Sequence, residues 1–124
     1  MKLLLDTHAL IWALEGSKKL SKVARAAIGD TANVVLVSAV SGWEIAIKMG
    51  LKRLEVPADL IEAIDDAGFT RRSLGFLEAK RLGSLPYHHH DPFDRMLVAH
   101  ALEESASLVT QDGQIARYNV AIVW

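Results

Sequence analysis

Cysteine is missing from the 124-residue chain. Without it the protein can form neither disulfides nor thiolate zinc sites, and it can have no cysteine nucleophile. An excess of charge of one sign is missing too, because the formal net charge at pH 7 is only -1. That balance argues against a bulk electrostatic attraction to nucleic acid, although a basic patch confined to one face remains compatible with it.

Long hydrophobic runs are also missing. No apolar run approaches the roughly 20 residues of a membrane span, and the N-terminus lacks the basic lead and small-residue cleavage site of a signal peptide. These absences predict a small soluble protein of the cytoplasm. Hydrophobic residues nevertheless make up 51% of the chain, which indicates a dense core or an apolar patch for a partner. The length suits one domain with a single core, and we expect that domain to span residues 1–124.

Strand-like and helix-like segments alternate along the chain. The predicted strands are Lys2–Leu5, Asn33–Val37, Phe69–Leu74, Ser107–Thr110 and Val120–Trp124, with the last at or near a sheet edge. The predicted helices cover residues 7–16, 21–28, 39–50, 57–68, 76–83 and 91–105. This alternation predicts an α/β protein in which a mainly parallel central sheet lies between two helical layers, a three-layer α/β/α sandwich.

Acidic residues follow the carboxyl ends of three predicted strands. Asp6 comes directly after the first strand, Glu44 lies in the helix after the second, and Asp112 follows the segment SLVT. Because parallel strands end on the same side of a sheet, these three acids should meet there. Asp94 joins them if its helix begins at that edge. Open α/β sheets usually bind their ligands at this edge.

Carboxylates gathered at one edge repel one another unless they are protonated or bound to a cation. Oxygen ligands at this density suit Mg²⁺ or Mn²⁺. Such a site supports in-line displacement at phosphorus by a water whose pKa the metal lowers. The spacing therefore indicates a metal-dependent phosphodiesterase, and we see no serine–histidine pair or glycine-rich phosphate loop in the sequence that suggests another chemistry.

Each acid also has a purely structural interpretation. Asp6 is a candidate helix N-cap, and Ser41 with Glu44 matches a capping box. Asp94 would favour the positive end of a helix dipole, and Asp112–Gly113 is a common turn pair. For any single acid the two interpretations are about equally good. The combination of all four is harder to explain by local structure alone.

Four motifs in order resemble those of a known family: DTHALIW, SAVSGWEIAIK, LPYHHHDPFDRMLVAHA and LVTQDGQIARY. They are similar to the PIN domain and, within that family, to the VapC-type toxins of bacterial toxin–antitoxin pairs. The resemblance runs from Lys2 to Trp124. It implies a PIN-like fold and a Mg²⁺- or Mn²⁺-dependent endoribonuclease that hydrolyses RNA. It also implies inhibition by a VapB-type antitoxin, and either a homodimer or an antitoxin-bound hetero-oligomer.

The resemblance assigns catalysis to four residues, which are Asp6, Glu44, Asp94 and Asp112. Of these, Asp6 and Asp94 are the implied direct metal ligands, and the other two bind the metal directly or through water. Asp91 lies one helical turn before Asp94 and reads as the helix cap. Asp94 is preferred because the acid of the family precedes a run of small and apolar residues, which begins here at Met96.

Other residues near the acids are candidates for binding. Arg95 either contacts a substrate phosphate or forms a salt bridge that holds its helix. His8 either binds substrate or an acid, or caps its helix. Lys48 lies four residues after Glu44, which predicts an ion pair on one helix face. The run His88–His90 is either a phosphate or partner contact or a solvated loop.

The resemblance also places the antitoxin groove on the first helices of VapC-like proteins. Trp12 is therefore our candidate for an exposed anchor that binds the antitoxin. The alternative is that Trp12 packs in the core at helical spacing with its neighbours.

Several other functions compete with the ribonuclease toxin. One is a catalytically inactive PIN-like module that binds RNA or protein, and another is a housekeeping nuclease of the same chemistry, acting on RNA or DNA. The presence of all four acids argues against the inactive module. A haloacid-type phosphatase is disfavoured because it needs a second aspartate two positions after Asp6, where His8 stands. A phosphorylated receiver module is disfavoured because it needs a lysine after a late strand, where Thr110 and Asp112 stand.

Overall fold

The computed structural model describes residues 1–52, 54, 56 and 59–124. Within these residues one sheet contains five strands, which are β1 Lys2–Leu5, β2 Val34–Ser38, β3 Thr70–Arg72, β4 Ser107–Val109 and β5 Ile122–Val123. Their spatial order is β3-β2-β1-β4-β5, and every neighbouring pair is parallel. The predicted parallel sheet is confirmed, and the last strand lies at an edge as expected.

Helices connect the strands in the described part of the chain. Their bounds are α1 Thr7–Glu15, α2 Lys22–Gly29, α3 Ala39–Gly50, α4 Leu60–Asp66, α5 Phe76–Ser84 and α6 Pro92–Glu104, followed by a short 3₁₀ helix at Ile115–Arg117. Each predicted helix is present, although the start that we predicted at Pro57 lies outside the described residues. Among the helices that the structure describes, none has both the length and the apolar character needed to cross a membrane.

Local sequence sets several element ends. Gly16 ends α1 with a φ of 66°, a left-handed conformation in which a side chain is costly. The Ser21 hydroxyl accepts the amide of Ala24 at 3.0 Å and begins α2. Strand β3 is shorter than the predicted Phe69–Leu74. Its two arginines are exposed, which suits a short strand at the edge of a sheet.

Two apolar clusters, one on each face of the sheet, form the core. Successive strand residues point to opposite faces. One cluster includes Leu3, Leu5, Val35 and Val37 with residues of α1, α2 and α4. The other includes Leu4, Leu36 and Leu108 with residues of α6. The sheet therefore has a helical layer on each side, and the predicted three-layer α/β/α sandwich is confirmed.

The strand order fixes where a ligand can enter. The chain runs from the central strand β1 outward through β2 to β3, and then returns to place β4 and β5 on the other side. Such a reversal opens a crevice at the carboxyl ends of the strands, here between β1 and β4. The Asp6 amide, directly after β1, donates to the Val109 carbonyl at the end of β4 at 3.0 Å and so joins the two strand ends beside this crevice.

The central strand provides a test of the core. Leu4 is fully buried, and Leu4→Ala should lower the free energy of unfolding by about 2–5 kcal/mol, because it removes buried methyl groups and leaves a cavity. Urea denaturation followed by circular dichroism measures the change. Leu77→Ala is the matched control, because Leu77 on α5 is 68% exposed, and it should change the free energy by less than about 0.5 kcal/mol. Equal losses in the two variants would contradict this description of the core.

Candidate active site

The four predicted acids line one cleft at the carboxyl ends of β1 and β4. The cleft has a volume of about 360 Å³. Its described lining residues are Asp6, Thr7, His8, Glu44, Lys48, Asp91, Asp94, Gln111 and Asp112. A larger cavity of about 630 Å³ lies between α3, α4 and β3, but its lining includes none of the four acids. We therefore take the smaller cleft as the candidate active site, because it gathers the groups that can do chemistry.

Asp6 both caps a helix and lines the cleft. Its Oδ1 accepts the amide of Ala9 at 2.7 Å, which begins α1. Burial raises the pKa of Asp6, against hydrogen bonds from the Thr110 hydroxyl and the Ala9 amide that act to lower it. The side chain is 7% exposed. The cap interpretation is thus correct, and the same side chain lines the cleft.

Glu44 is held on both of its oxygens. The Thr7 hydroxyl donates to Oε1 at 2.7 Å and lies 3.2 Å from the Ser41 hydroxyl. The Lys48 ammonium binds Oε2 at 2.5 Å. The predicted ion pair between Lys48 and Glu44 is confirmed. The carboxylate is buried, so these contacts fix its orientation in the cleft.

The capping-box interpretation of Glu44 is wrong. Helix α3 begins after Ser38, whose hydroxyl accepts the amide of Val40 at 3.1 Å. Ser41 and Glu44 therefore lie inside the helix, where a capping box has no role. A second contact occupies Ser38, because its hydroxyl lies 2.8 Å from Nδ1 of the buried His100.

Asp94 projects from the first turn of α6. Asp91 is the cap of this helix, because its Oδ1 accepts the amides of Phe93 at 2.8 Å and of Asp94 at 3.1 Å. Burial is the main cause that raises the pKa of Asp94 to about 7. The charge of Asp91 and, to a smaller extent, those of Glu44 and Asp112 act in the same direction, and His89 acts to lower the pKa. Negative charge thus collects around Asp94 beyond what its neighbours compensate.

Asp112 is more stabilised as an anion than Asp6 and Asp94 are. Its Oδ1 accepts the amide of Gln114 at 2.8 Å, and its Oδ2 lies 2.9 Å from Nε2 of His89. Burial acts to raise the pKa of Asp112, but the hydrogen bonds from His89 and Gln114 outweigh it and hold the pKa below its usual value. The turn interpretation and the site interpretation of this acid both apply.

Histidine 89 was missed as a site residue. His89 Nε2 lies 2.9 Å from Asp112 Oδ2 and 3.1 Å from Asp94 Oδ2. We predicted one shared role for His88–His90, either a phosphate or partner contact or a solvated loop, because three identical neighbours carry no periodicity. The structure separates them: the His88 ring packs edge-on against Tyr118, and the His90 ring stacks on Tyr87. Of the three, His89 is the one that contacts the acids.

Two hydroxyls beside the acids were also missed. Thr7 binds Glu44, and Thr110 hydrogen-bonds the Asp6 carboxylate and accepts the Asp112 amide at 3.0 Å. Thr110 stands directly after β4, and Thr7 follows β1 by two residues, directly after Asp6. Their position at the strand ends was the signal that could have identified them.

Arg95 does not take the predicted place. It is 6% exposed, and it is not among the described residues that line the cleft. Its guanidinium donates to the carbonyls of Leu82, Leu85 and Pro86 and to the Tyr118 hydroxyl. Among the described residues its partners are thus carbonyls and a phenol rather than an acid or an open anion site. This geometry argues against the predicted phosphate contact. Instead of the alternative salt bridge, Arg95 forms hydrogen bonds that hold the end of α5 and the segment between α5 and α6.

His8 and Trp12 lie together at the rim of the cleft. His8 is exposed and lines the cleft, and its ring stacks on the Trp12 ring with centroids 5.5 Å apart. Trp12 is half-buried and also packs against Trp124. The binding roles of His8 and Trp12 stay predictions, and the positions are compatible with them.

The donor set fits a divalent cation. Five carboxylates line one small cleft, the four predicted acids and Asp91, and the raised pKa of Asp94 reflects burial as well as nearby negative charge. His89, Asp94 and Asp112 offer possible ligand atoms that all lie within 4.8 Å of one another. A set dominated by carboxylate oxygens suits Mg²⁺ or Mn²⁺.

Comparison with known families identifies the family of the chain. The family model of the PIN domain matches residues 3–121, which is nearly the whole chain. The chain belongs to the PIN domain family, and the predicted resemblance is confirmed. Membership of this family implies a hydrolase with nuclease activity, and PIN nucleases generally use divalent metals.

Solved structures share the fold at low sequence identity. VapBC2 from Rickettsia felis, bound to a DNA fragment from its promoter, gives a TM-score of 0.69 at 17% identity, with 98% of this chain and 97% of that chain covered. A toxin–antitoxin complex from Klebsiella pneumoniae gives 0.65 at 17%, covering 98% and 96%. FitAcB from Neisseria gonorrhoeae gives 0.61 at 18%, covering 97% and 95%. At these identities the likeness establishes the fold. No curated protein matches the sequence.

The burial of Asp94 and the negative charge near it predict a pH-dependent stability in the metal-free protein. Its pKa of about 7 in the fold lies above the ordinary 3.8, so its contribution is fully present below pH 3.8 and is lost as the pH rises through 7. Asp94→Asn removes this dependence. Relative to that variant, the wild type should lose up to about 4 kcal/mol of unfolding free energy between acid and neutral pH.

Urea unfolding with a chelator present, repeated from pH 4 to 8, measures this difference. Asp66→Asn is the control, because Asp66 is exposed on α4 away from the cleft, and its profile should parallel that of the wild type. A profile of Asp94→Asn that also runs parallel to the wild type would contradict the raised pKa of Asp94.

Proposed function

We propose that this protein is a Mg²⁺- or Mn²⁺-dependent endoribonuclease that acts as the toxin of a VapBC-type pair. The observation that carries the proposal is the meeting of four carboxylates, from four separate segments of a PIN-family chain, in one cleft. A cleft of this kind, open to solvent at the end of a parallel sheet, suits hydrolysis of a phosphodiester bond. We further propose that residues 1–124 form one PIN-like domain that works in the cytoplasm.

In this proposal Asp6 and Asp94 are the direct metal ligands, and Glu44 and Asp112 bind the metal directly or through water. A divalent ion in such a site supplies Lewis acidity, which acidifies water and stabilises negative charge at phosphorus. The chain holds the ligands ready: the Ala9 amide binds Asp6, and Thr7 with Lys48 fixes Glu44. Ligands that are fixed before the ion arrives lose less freedom on binding.

An RNA substrate also needs positive charge close to the cleft. Lys48 and His8 both line the cleft. The Lys48 side chain is 35% exposed although it pairs with Glu44, and His8 is exposed beside Asp6. We propose that His8 contacts a substrate phosphate and that Lys48 assists it. Lys48 and His8 are the basic side chains among the described residues that line the cleft.

Solved structures with the same fold support the toxin role. Two of these structures are named as a VapBC assembly and as a toxin–antitoxin complex. We propose that a VapB-type antitoxin binds this chain, as a hetero-oligomer or on a homodimer. Trp12 is the proposed anchor, because it borders a shallow cavity of about 200 Å³ between α1 and α2 and stacks on His8 at the rim of the cleft. An antitoxin seated on Trp12 would therefore lie next to the catalytic groups.

Loss of a proposed direct ligand tests the nuclease. Loss of a residue that hydrogen-bonds to a metal ligand typically costs roughly 10–100-fold in activity. Asp6→Asn and Asp94→Asn each remove a proposed ligand itself and should lower RNA cleavage by more than that. Cleavage of a labelled RNA with Mg²⁺ or Mn²⁺ measures the rate, and circular dichroism checks the fold. A chelator should abolish cleavage by the wild type, and Asp66→Asn should keep it. Full activity of either cleft variant, with metal still required, would refute the assignment.

The same Asp6→Asn variant separates a toxin from a housekeeping nuclease. Expression of the wild type should arrest growth, and the variant should not. A short upstream reading frame that encodes a DNA-binding antitoxin should relieve the arrest when it is co-expressed. Normal growth with a wild type that cleaves RNA in vitro would favour the housekeeping nuclease.

Trp12→Ala tests the proposed antitoxin anchor. Removal of an aromatic anchor commonly costs 2 kcal/mol or more, so affinity for the antitoxin should fall by about 30-fold. RNA cleavage by the free protein should remain close to that of the wild type. Calorimetric titration with the partner measures affinity, and Trp43→Ala is the control because Trp43 is a 60% exposed tryptophan on α3. Equal losses in both variants would contradict a specific role for Trp12.

A further inference from the structure

His89 stands between two of the proposed ligands and is anchored by the loop before α6. Its backbone amide donates to the Tyr118 hydroxyl at 3.1 Å. The same hydroxyl accepts a hydrogen bond from the buried Arg95 guanidinium at 3.1 Å. Tyr118 is itself buried. The position of His89 is therefore set by the core of the protein, although its ring reaches the cleft.

The hydrogen bonds of the ring fix where its proton lies. The backbone amide of Asp91 donates to Nδ1 of His89 at 3.1 Å, so Nδ1 presents a lone pair. A neutral imidazole carries one proton, which must then lie on Nε2. Nε2 is 2.9 Å from Asp112 Oδ2 and 3.1 Å from Asp94 Oδ2. The N–H group therefore points at both carboxylates and is shared between them.

This tautomer is the wrong one for a metal ligand. A histidine that binds a metal through Nε2 needs its lone pair there and its proton on Nδ1. In this loop the Asp91 amide already points its own proton at Nδ1. If Nδ1 also carried a proton, two N–H groups would face each other. The geometry therefore favours His89 as a hydrogen-bond donor to the acids over His89 as a ligand.

We propose that His89 is a positioning residue, which holds Asp94 on α6 and Asp112 after β4 in the orientation that binds a divalent cation. The inference rests on the proposed function, because it concerns the same metal site. A shared donor counteracts the repulsion between two carboxylates from different segments. Partners behind metal ligands typically contribute about 10–100-fold to metal affinity. Loss of the His89 ring should weaken metal binding by that amount.

Binding of Mn²⁺ to the purified protein tests the proposal without any measurement of activity. The electron paramagnetic resonance signal of free Mn²⁺ gives the dissociation constant. His89→Ala should raise it about 10–100-fold. His89→Gln keeps an N–H donor at a comparable reach and should recover most of the affinity. His90→Ala is the matched control, because His90 is exposed and stacks on Tyr87, and it should bind as the wild type does.

Electron spin echo modulation of bound Mn²⁺ separates a donor from a ligand. The wild type should show no modulation from a directly coordinated nitrogen. Such a modulation in the wild type, lost in His89→Gln, would overturn the positioning role. An unchanged dissociation constant in His89→Ala would overturn it as well, as long as thermal unfolding shows that this variant is folded. A His89→Gln variant as weak as His89→Ala would also contradict a role for the N–H donor.

The two proposals fail in different ways. If the wild type does not bind Mn²⁺, or if Asp6→Asn binds it as tightly as the wild type, the metal site of the proposed function is wrong and His89 has no ligands to position. If the wild type binds Mn²⁺, Asp6→Asn does not, and His89→Ala binds normally, the nuclease site stands and the role of His89 alone is rejected.

Discussion

Repulsion between carboxylates at the carboxyl ends of β1 and β4 is the constraint on which the site depends. The fold brings the acids together because a parallel sheet ends all of its strands on one side. It then compensates each of them differently: Asp6 with a helix amide, Glu44 with a lysine and a hydroxyl, and Asp112 with an imidazole. Asp94 receives the least compensation for its burial and keeps a pKa of about 7. The residues that contact the four acids thus supply less positive charge than full compensation of the acids would need.

The positions of Asp6 and Asp112 could be predicted from the sequence because they depend on strand ends, and buried strands are visible as apolar runs. Asp94 was chosen over Asp91 through the family resemblance, because it precedes the apolar run that begins at Met96, and Asp91 is the cap as predicted. The role of Arg95 could not be predicted in this way. Neighbours on a helix point about 100° apart, so Arg95, the residue after a cleft acid, faces the end of α5 and the segment that follows it and not the cleft.

His89 was hidden for a different reason. Its place depends on Tyr118, which lies 29 residues further along the chain, and on the Arg95 guanidinium that shares the Tyr118 hydroxyl. Contacts of this kind leave no local pattern in the sequence.

For Asp6, the helix cap and the site residue were not true alternatives. A carboxylate has two oxygens, and Asp6 spends Oδ1 on the Ala9 amide while the side chain still lines the cleft.

The central position of β1 has a consequence for synthesis of the protein. Leu3, Leu4 and Leu5 pair with Ser107, Leu108 and Val109, which are about a hundred residues away in sequence. Closing so long a loop is the slow part of forming such a sheet. A nascent chain that has emerged only as far as α5 lacks β4, Asp94 and Asp112 together. The four acids can therefore meet in the cleft only after α6 and β4 have been made.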